Sequence, residues 1–134
     1  MHSFLQYVIH HPQLVMMDDI GEGTIIGPYC NIGFNCSLKN FNLISSHCVM
    51  SHDNKLGSFN YFGNGIIIQG GTTVASYVST YAKSVIGRNV KISSNLVIGI
   101  NSFVKSDIGA NSLNYGSPSK FIRKLKKNET LISS

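Results

Sequence analysis

The sequence predicts an all-β protein: a parallel β-helix of about five coils of about 18 residues each, followed by a short C-terminal α-helix. Three observations predict this fold: a hydrophobic residue at every sixth position, a small or β-branched residue two positions before it, and frequent glycine directly after it. With 134 residues, 43% of them hydrophobic and 13% charged, the chain has the size of one domain and is too apolar for a disordered protein.

The six-residue repeat runs without interruption from Ile20 to Val104. Fourteen of its fifteen hydrophobic positions are apolar, and only Thr80 is not. These large core positions are Ile20, Ile26, Ile32, Leu38, Ile44, Met50, Leu56, Phe62, Ile68, Val74, Thr80, Ile86, Ile92, Ile98 and Val104. Each unit makes one short strand and one corner, and three units close a triangular coil. We therefore expect these side chains to fill the prism, with coils stacked about 4.8 Å apart.

The positions two residues before the large ones form a second inward set, the small core positions. They include Thr24, Cys30, Cys36, Cys48, Thr72, Val78, Ser84, Val90 and Ser102. Because all three cysteines belong to this set and match no usual zinc spacing, we expect them to be core thiols. The glycines that directly follow large core positions are expected at corners, where a Cβ would strain the backbone.

The repeat divides the chain into three parts. These are a lead-in over residues 1–16, the β-helix over 17–113, and a C-terminal helix and tail over 114–134. Ser117–Pro118 can cap and begin a helix that reaches about Lys127. Its apolar face would cover the open end of the β-helix and consists of Phe121, Ile122 and Leu125. Contact with a membrane surface or nucleic acid is the alternative, although no interleaved aromatic and basic residues support nucleic acid.

Positive charge is concentrated in the second half of the chain. Nine of the eleven basic residues, but only two of the six acidic ones, follow residue 67. This asymmetry suits an anionic partner such as a phosphate-bearing cofactor. The opening MHSFLQYVIH has none of the parts of a signal peptide, and no run reaches the ~18 apolar residues of a membrane span. We therefore expect a cytoplasmic protein without membrane contact.

Four segments of the chain are informative through their order and spacing, whereas a single six-residue unit is not specific to any family. They are Ile20–Gly27 (IGEGTIIG), Ser51–Asp53 followed by Leu56–Gly57, Gln69–Gly71 (QGG), and Gly116–Lys124 (GSPSKFIRK). With these segments the chain resembles the hexapeptide-repeat acyltransferases, and among them the sialic acid O-acetyltransferase-type sugar acyltransferases. The resemblance implies a left-handed β-helix and a homotrimer with active sites between subunits. It also implies an acyl-CoA co-substrate, acetyl-CoA by preference, bound in the cleft between subunits.

The resemblance assigns roles to three residues. His52 matches the family's catalytic base, and Asp53 matches the acidic residue that accompanies it. Gly70 matches the position whose backbone N–H meets the thioester carbonyl. The chain departs from many relatives at Tyr61, where they carry a second histidine.

The repeat alone places His52 at a corner, two residues after a large core position. Residues 18 apart stack, so its column contains Phe34, His52, Gly70, Arg88 and Ser106. Gly70 and Gly71 would bare the backbone for a pantetheine arm, and the residues further along the axis would meet the CoA phosphates. These residues are the basic Lys83, Arg88, Lys91 and Lys105, together with Ser106 of the His52 column. Adjacent residues point differently, so either Asp53 or a carboxylate of another subunit could contact His52.

The function expected from these residues is acyl transfer from acyl-CoA to a hydroxyl or amine of a sugar or nucleotide sugar, with His52 as general base. The alternative is a non-catalytic β-helix that serves as a scaffold or partner of another transferase. A metal site is not expected, because His47 and His52 fall on different faces and the repeat contains no third histidine.

Overall fold

The computed structural model describes residues 7–8, 14–15, 19–126 and 129, and this part of the chain contains strands and turns without a helix. In chain order the strands are β1 (Tyr7–Val8), β2 (Leu14–Val15), β3 (Ile25–Ile26), β4 (Asn31–Ile32), β5 (Ser37–Leu38), β6 (Leu43–Ile44), β7 (Val49–Met50), β8 (Lys55–Leu56), β9 (Tyr61–Phe62), β10 (Ile67–Ile68), β11 (Thr73–Val74), β12 (Val78–Thr80), β13 (Val85–Ile86), β14 (Lys91–Ile92), β15 (Leu96–Ile98), β16 (Phe103–Val104), β17 (Ser112–Gly116) and β18 (Ser119–Lys124).

The strands form three sheets, one for each side of a triangular prism. The eight-stranded sheet has the order β1-β3-β6-β9-β12-β15-β17-β18, the six-stranded sheet β16-β13-β10-β7-β4-β2, and the four-stranded sheet β14-β11-β8-β5. Parallel partners are one coil apart, as in the pairing of Ile25 with Leu43 and of Ile67 with Val85. The predicted left-handed parallel β-helix of about five coils is confirmed. Strands β1 and β2 pair with β3 and β4, so both sheets extend into the segment expected to be a lead-in.

The interior contains the residues that the repeat predicted. Every large core position from Ile26 to Val104 is buried, and Ile20 at the end of the stack is partly buried. Thr80, the one polar member, is also fully buried. The predicted small core positions are buried as well, together with three asparagines on the same inward column positions, Asn42, Asn54 and Asn60.

The cysteines are buried free thiols of this core. Cys30 donates its thiol hydrogen to the Ser45 carbonyl at 3.0 Å, and Cys36 donates to the Ser51 carbonyl at 2.9 Å. Burial raises the pKa of the Cys36 thiol above its ordinary value. A thiol that is buried, protonated and hydrogen-bonded packs as a small apolar side chain.

The corners use left-handed backbone at a different position from the one expected. The third residue after each large core position from Ile20 to Ile98 has positive φ; these residues are Gly23, Tyr29, Asn35, Phe41, His47, Asp53, Phe59, Gly65, Gly71, Tyr77, Lys83, Asn89, Asn95 and Asn101. The glycines directly after the large core residues serve close packing instead. A Cβ on Gly27, for example, would lie 3.0 Å from the backbone of Ser45 and Ser46 in the next coil.

The predicted C-terminal α-helix is wrong. Strand β17 pairs in parallel with β15, and β18 then pairs antiparallel with β17, so the segment is a β-hairpin that extends the eight-stranded sheet. The edge of β17 offers backbone donors and acceptors that need partners, and this tertiary requirement outweighs the local helix signal of Ser117–Pro118. Phe121 and Ile122 remain 61% and 42% exposed instead of forming a buried helical face.

Candidate functional site

The prism has three corners in each coil, and His52 defines one of them. In the coil that contains Met50, residues 45–48, 51–54 and 57–60 form the His47, His52 and Phe59 corners between successive sheets. The expected column at the His52 corner is present around the histidine: the Phe34 ring lies one coil below, stacked at 5.6 Å and 17°, and Gly70 lies one coil above.

Asp53 contacts His52 within the same chain, which answers the question that the sequence left open. Nδ1 of His52 lies 2.7 Å from Oδ2 of Asp53. Asp53 has φ 61°, so the chain turns sharply, and side chains that would diverge along an extended strand converge here. The pKa of the Asp53 carboxyl is held below its ordinary value by the hydrogen bond from Asn35 and then by that from His52. The pair is open to solvent, with the side chains 57% and 45% exposed.

Gly70 has no side chain, and this leaves room for the imidazole of His52. A Cβ there would lie 2.9 Å from Cε1 and 3.1 Å from Nε2 of His52. The Gly70 carbonyl accepts the Asn89 N–H at 3.0 Å, whereas its own N–H meets no acceptor among the residues that the structure describes. The Gly71 N–H donates to the His52 carbonyl at 3.1 Å. The residue packed against the imidazole is therefore a buried glycine whose N–H has no acceptor in the described part of the chain.

The residues expected to bind the cofactor are only partly brought together. Arg88 is exposed and follows Gly70 in the His52 column. Lys83 belongs to the His47 corner, where its methylenes lie 3.9–4.0 Å from the Cβ position of Gly65. Within one chain, Lys83 is thus separated from Gly70, Gly71 and Arg88 by the width of the six-stranded sheet.

A groove of about 550 Å³ at the C-terminal end of the prism is the feature that sequence reasoning missed. It runs between the last coil and the hairpin, and its lining includes Lys105, Ser106, Asp107, Ser119, Lys120 and Phe121. The last coil is two residues shorter than the others, because Leu96 pairs with Ser112. The carboxylate of Asp107 there accepts the backbone N–H of Lys91 at 2.8 Å. The sequence contains one signal of this groove: the six-residue repeat ends after residue 104, so the last coil need not have the length of the others.

Two side chains considered from the sequence lie away from His52. His47 stacks on Tyr29 at 5.0 Å at its own corner, and Tyr61 meets Tyr81 edge-on at 6.0 Å on the eight-stranded sheet. Within the described residues, no group of three or more His, Cys, Asp or Glu side chains is placed to hold a metal ion. The same part of the chain contains no helix long and apolar enough to span a bilayer.

Comparison with known proteins gives matches at the level of structure. No protein-family model matches the sequence, and no curated protein matches it. The chain superposes on PerB of Caulobacter crescentus, solved with CoA and GDP-perosamine, with a TM-score of 0.81 and 22% identity over 88% of this chain and 58% of PerB. The chain has the fold of the hexapeptide-repeat acetyltransferases.

Two further structures support the same fold. One is the acetyltransferase domain of PglB from Neisseria gonorrhoeae with acetyl coenzyme A, with a TM-score of 0.73 and 17% identity over 87% of this chain and 54% of that domain. The other is a hexapeptide transferase family protein from Anaplasma phagocytophilum, with a TM-score of 0.63 and 17% identity over 94% of this chain and 82% of that protein. The chain thus spans less than two thirds of the length of PerB and of the PglB domain.

Proposed function

We propose that the protein is an acyl-CoA-dependent acyltransferase that uses acetyl-CoA to modify a hydroxyl or amine of a sugar or nucleotide sugar. The observation that carries the proposal is the arrangement of His52, Asp53 and Gly70. Asp53 holds Nδ1 of the imidazole. Among the described residues neither Nε2 nor the N–H of Gly70 has a hydrogen-bond partner, and Gly70 packs against the ring.

These groups are suited to direct acyl transfer. Nε2 of His52 takes the proton from the acceptor hydroxyl or amine as its oxygen or nitrogen forms a bond to the thioester carbonyl carbon. The Gly70 N–H donates to the carbonyl oxygen as negative charge develops on it, and Asp53 stabilises the imidazolium. The carbon–sulfur bond then breaks, the carbonyl is restored, and the imidazolium returns the proton to the departing thiolate.

The charge distribution supports a CoA position toward the C-terminal end. Gly71 is exposed next to the buried Gly70, and Arg88, also exposed, follows one coil further along. The groove beyond contains Lys105, Ser106 and Lys120, which supply two cations and a hydroxyl for phosphate oxygens. Three coils at about 4.8 Å each separate the His52 level from Ser106, a distance of roughly 14 Å that an extended pantetheine arm can follow.

The acceptor is proposed to be a sugar by analogy with the structural neighbours. PerB is a perosamine N-acetyltransferase that was solved with GDP-perosamine, and this supports a nucleotide-linked amino sugar as one acceptor class. A hydroxyl acceptor fits the same chemistry, because His52 would remove a proton from either nucleophile.

A homotrimer is part of the proposal, and the outer face of the six-stranded sheet supports it. Val49 and Ile67 are each 39% exposed there, Phe103 is 36% exposed, and Val85 lies between them in the same stack. This apolar column runs beside the His52 corner and suits burial against another copy. Lys83, which lies on the far corner of this sheet, would then join the site of a neighbouring subunit.

The oligomeric state can be tested with one charged substitution on this face. Ile67→Glu should leave the monomer folded, because the side chain points outward, but it should convert the trimer into monomers in sedimentation experiments. Thr73→Glu on the exposed face of the four-stranded sheet is the matched control and should stay trimeric. A wild-type protein that sediments as a monomer at micromolar concentration would exclude this part of the proposal.

The function is tested by measuring thioester consumption with acetyl-CoA against a panel of free and nucleotide-linked sugars. We expect transfer to at least one acceptor and a loss of about 10²–10⁴-fold in kcat for His52→Ala. An unchanged rate for this variant with a validated acceptor would refute the role of His52. Absence of CoA binding in calorimetry would instead favour the non-catalytic scaffold.

A further inference from the structure

We propose that Phe34 and Asn35, the two residues directly beneath His52 and Asp53, are positioning residues that fix the imidazole and its carboxylate partner for proton transfer. This inference rests on the proposed function. Neither residue would touch a reacting atom; both would act through the pair above them.

Asn35 holds the carboxylate from the coil below. Its side-chain Nδ2 donates to Oδ1 of Asp53, while His52 occupies Oδ2, so each carboxylate oxygen has its own partner. Asn35 and Asp53 occupy equivalent left-handed positions with φ 57° and 61°, which brings their side chains into register. The carboxylate plane is therefore fixed at two points, although Asp53 is exposed.

Phe34 holds the imidazole from the same coil. Its ring stacks under that of His52 with 5.6 Å between centroids and 17° between planes, and Gly70 closes the other side. The imidazole thus has an aromatic ring on one side and the Gly70 backbone on the other, while Asp53 fixes its edge. Phe34 is 57% exposed, so it contributes little to the core and its main contact is this stack.

Coil stacking alone is the competing explanation, because similar contacts occur at the other corners. Tyr29 stacks with His47, and Phe41, Phe59 and Tyr77 stack in succession. Those contacts reach no ionisable pair with a free ring nitrogen next to an unpaired backbone donor. A purely structural role predicts a loss of stability only, whereas a positioning role also predicts a change in the tautomer of His52.

The tautomer is the measurable consequence. Asp53 accepts a hydrogen bond only from Nδ1–H, and this leaves the lone pair of Nε2 available as a base. Without Asn35 the carboxylate can rotate away, and neutral His52 will then populate the Nε2–H form, which cannot accept the proton. The nitrogen chemical shifts of a labelled imidazole distinguish the two forms above the pH at which the ring is protonated.

The test compares Asn35→Gly with a matched control. Glycine keeps the left-handed backbone and removes only the side-chain amide. Asn101→Gly makes the same change at φ 56° on the His47 corner, away from Asp53. For Asn35→Gly we expect an increase in the Nε2–H tautomer, about 10-fold or greater loss of kcat and an unchanged KM for acetyl-CoA. Asn101→Gly should match the wild type in all three.

Phe34→Leu provides an independent measurement on the second residue. It retains an apolar side chain without an aromatic face, and we expect a lower kcat with a melting temperature close to that of the wild type. If Asn35→Gly and Asn101→Gly give the same tautomer and the same kcat, Asn35 has no positioning role. A wild-type protein without transferase activity would refute the proposed function, whereas the tautomer measurement would still decide the inference about Asn35.

Discussion

His52 and Gly70 lie one coil apart and so close that a methyl group on Gly70 would be 2.9 Å from Cε1 of the imidazole. The glycine therefore has two properties that matter at the site: it leaves room for the ring, and its N–H meets no acceptor among the described residues. Both properties depend on the 18-residue register of the parallel sheets, which places residue 70 above residue 52.

Gly70→Ala should reduce activity without unfolding the protein. Gly70 does not have positive φ, so alanine fits the backbone, but its Cβ would displace the imidazole from Asp53 and from the adjacent N–H. We expect kcat to fall about 10-fold or more, measured as thioester consumption. Gly27→Ala is the control, because its Cβ would be equally crowded, 3.0 Å from the backbone of Ser45, at a corner away from His52. Equal losses in the two variants would indicate general distortion of the coils instead.

Asp53→Asn should lower kcat and alter the pH dependence of stability. Asparagine keeps the shape and tolerates the left-handed backbone, but the imidazolium formed during transfer loses its counter-charge, so we expect a loss of about 10-fold or more. Because the folded-state pKa of Asp53 is lowered, first by Asn35 and then by His52, its contribution to stability is present above the unfolded pKa of about 3.9. That contribution is lost as the pH falls through the lower folded pKa.

The measurement for this variant is the difference in melting temperature from the wild type at pH 6 and at pH 2.5, together with kcat at pH 7. The difference should be small, since the pair is exposed, and should shrink toward zero in acid. A kcat equal to that of the wild type would exclude a role for the carboxylate in transfer.

Thr80→Val should stabilise the protein. Thr80 is fully buried at a large core position, and its hydroxyl has no hydrogen-bond partner among the residues that the structure describes. Valine has nearly the same shape and removes the unpaired group, so we expect a gain of about 1 kcal/mol in the free energy of unfolding. For a chain of this size that corresponds to a rise of about 3–5 °C in melting temperature.

Thr72→Val is the matched control for this prediction. The Thr72 hydroxyl is equally buried but donates to the Gly87 carbonyl at 2.6 Å and accepts the Val90 N–H at 3.2 Å. The same substitution should therefore destabilise the protein by about 1–3 kcal/mol, because it leaves buried backbone groups unpaired. Changes of the same sign in the two variants would contradict this account of the core.

Glu129 should titrate far below an ordinary glutamate. Its hydrogen bonds from Arg123, and then the one from the Lys126 backbone, lower its pKa to about 2. Any stabilisation from this contact is present above the unfolded pKa of about 4.3 and is lost as the pH falls through about 2. NMR titration of the side-chain carboxyl should give the low value in the wild type and a higher one in Arg123→Ala, still below about 4.3 because the bond from the Lys126 backbone remains. Lys126→Ala keeps the backbone N–H, so a low pKa should persist there.

The interior of the fold could be predicted because a solenoid repeats one local rule. A buried position every six residues fixes strand, corner and coil, and each coil packs only on its neighbours. The column through Phe34, His52 and Gly70 followed from this periodicity alone. The polar residue Thr80 interrupts the hydrophobic series in the sequence, and its buried hydroxyl has no partner in the described part of the chain.

The contacts of individual side chains did not follow from the repeat. Whether Asp53 meets His52 depends on φ at a single residue, and the hydrogen bond from Asn35 depends on two such corners in register. The sequence groups Lys83 with Arg88 by its height along the prism, but the structure places Lys83 at the His47 corner, because height does not fix which of the three corners a residue occupies.

The sequence by itself determined the class of fold, the buried residues and the height of each residue along the prism, because these depend on a period that the chain repeats throughout. The tertiary structure alone decided the end of the molecule. There the period stops, and residues 117–127 have a local helical pattern. Residues 119–124 nevertheless form the second strand of a hairpin, because the free edge of β17 offers backbone hydrogen bonds that a helix on the surface would leave unmade.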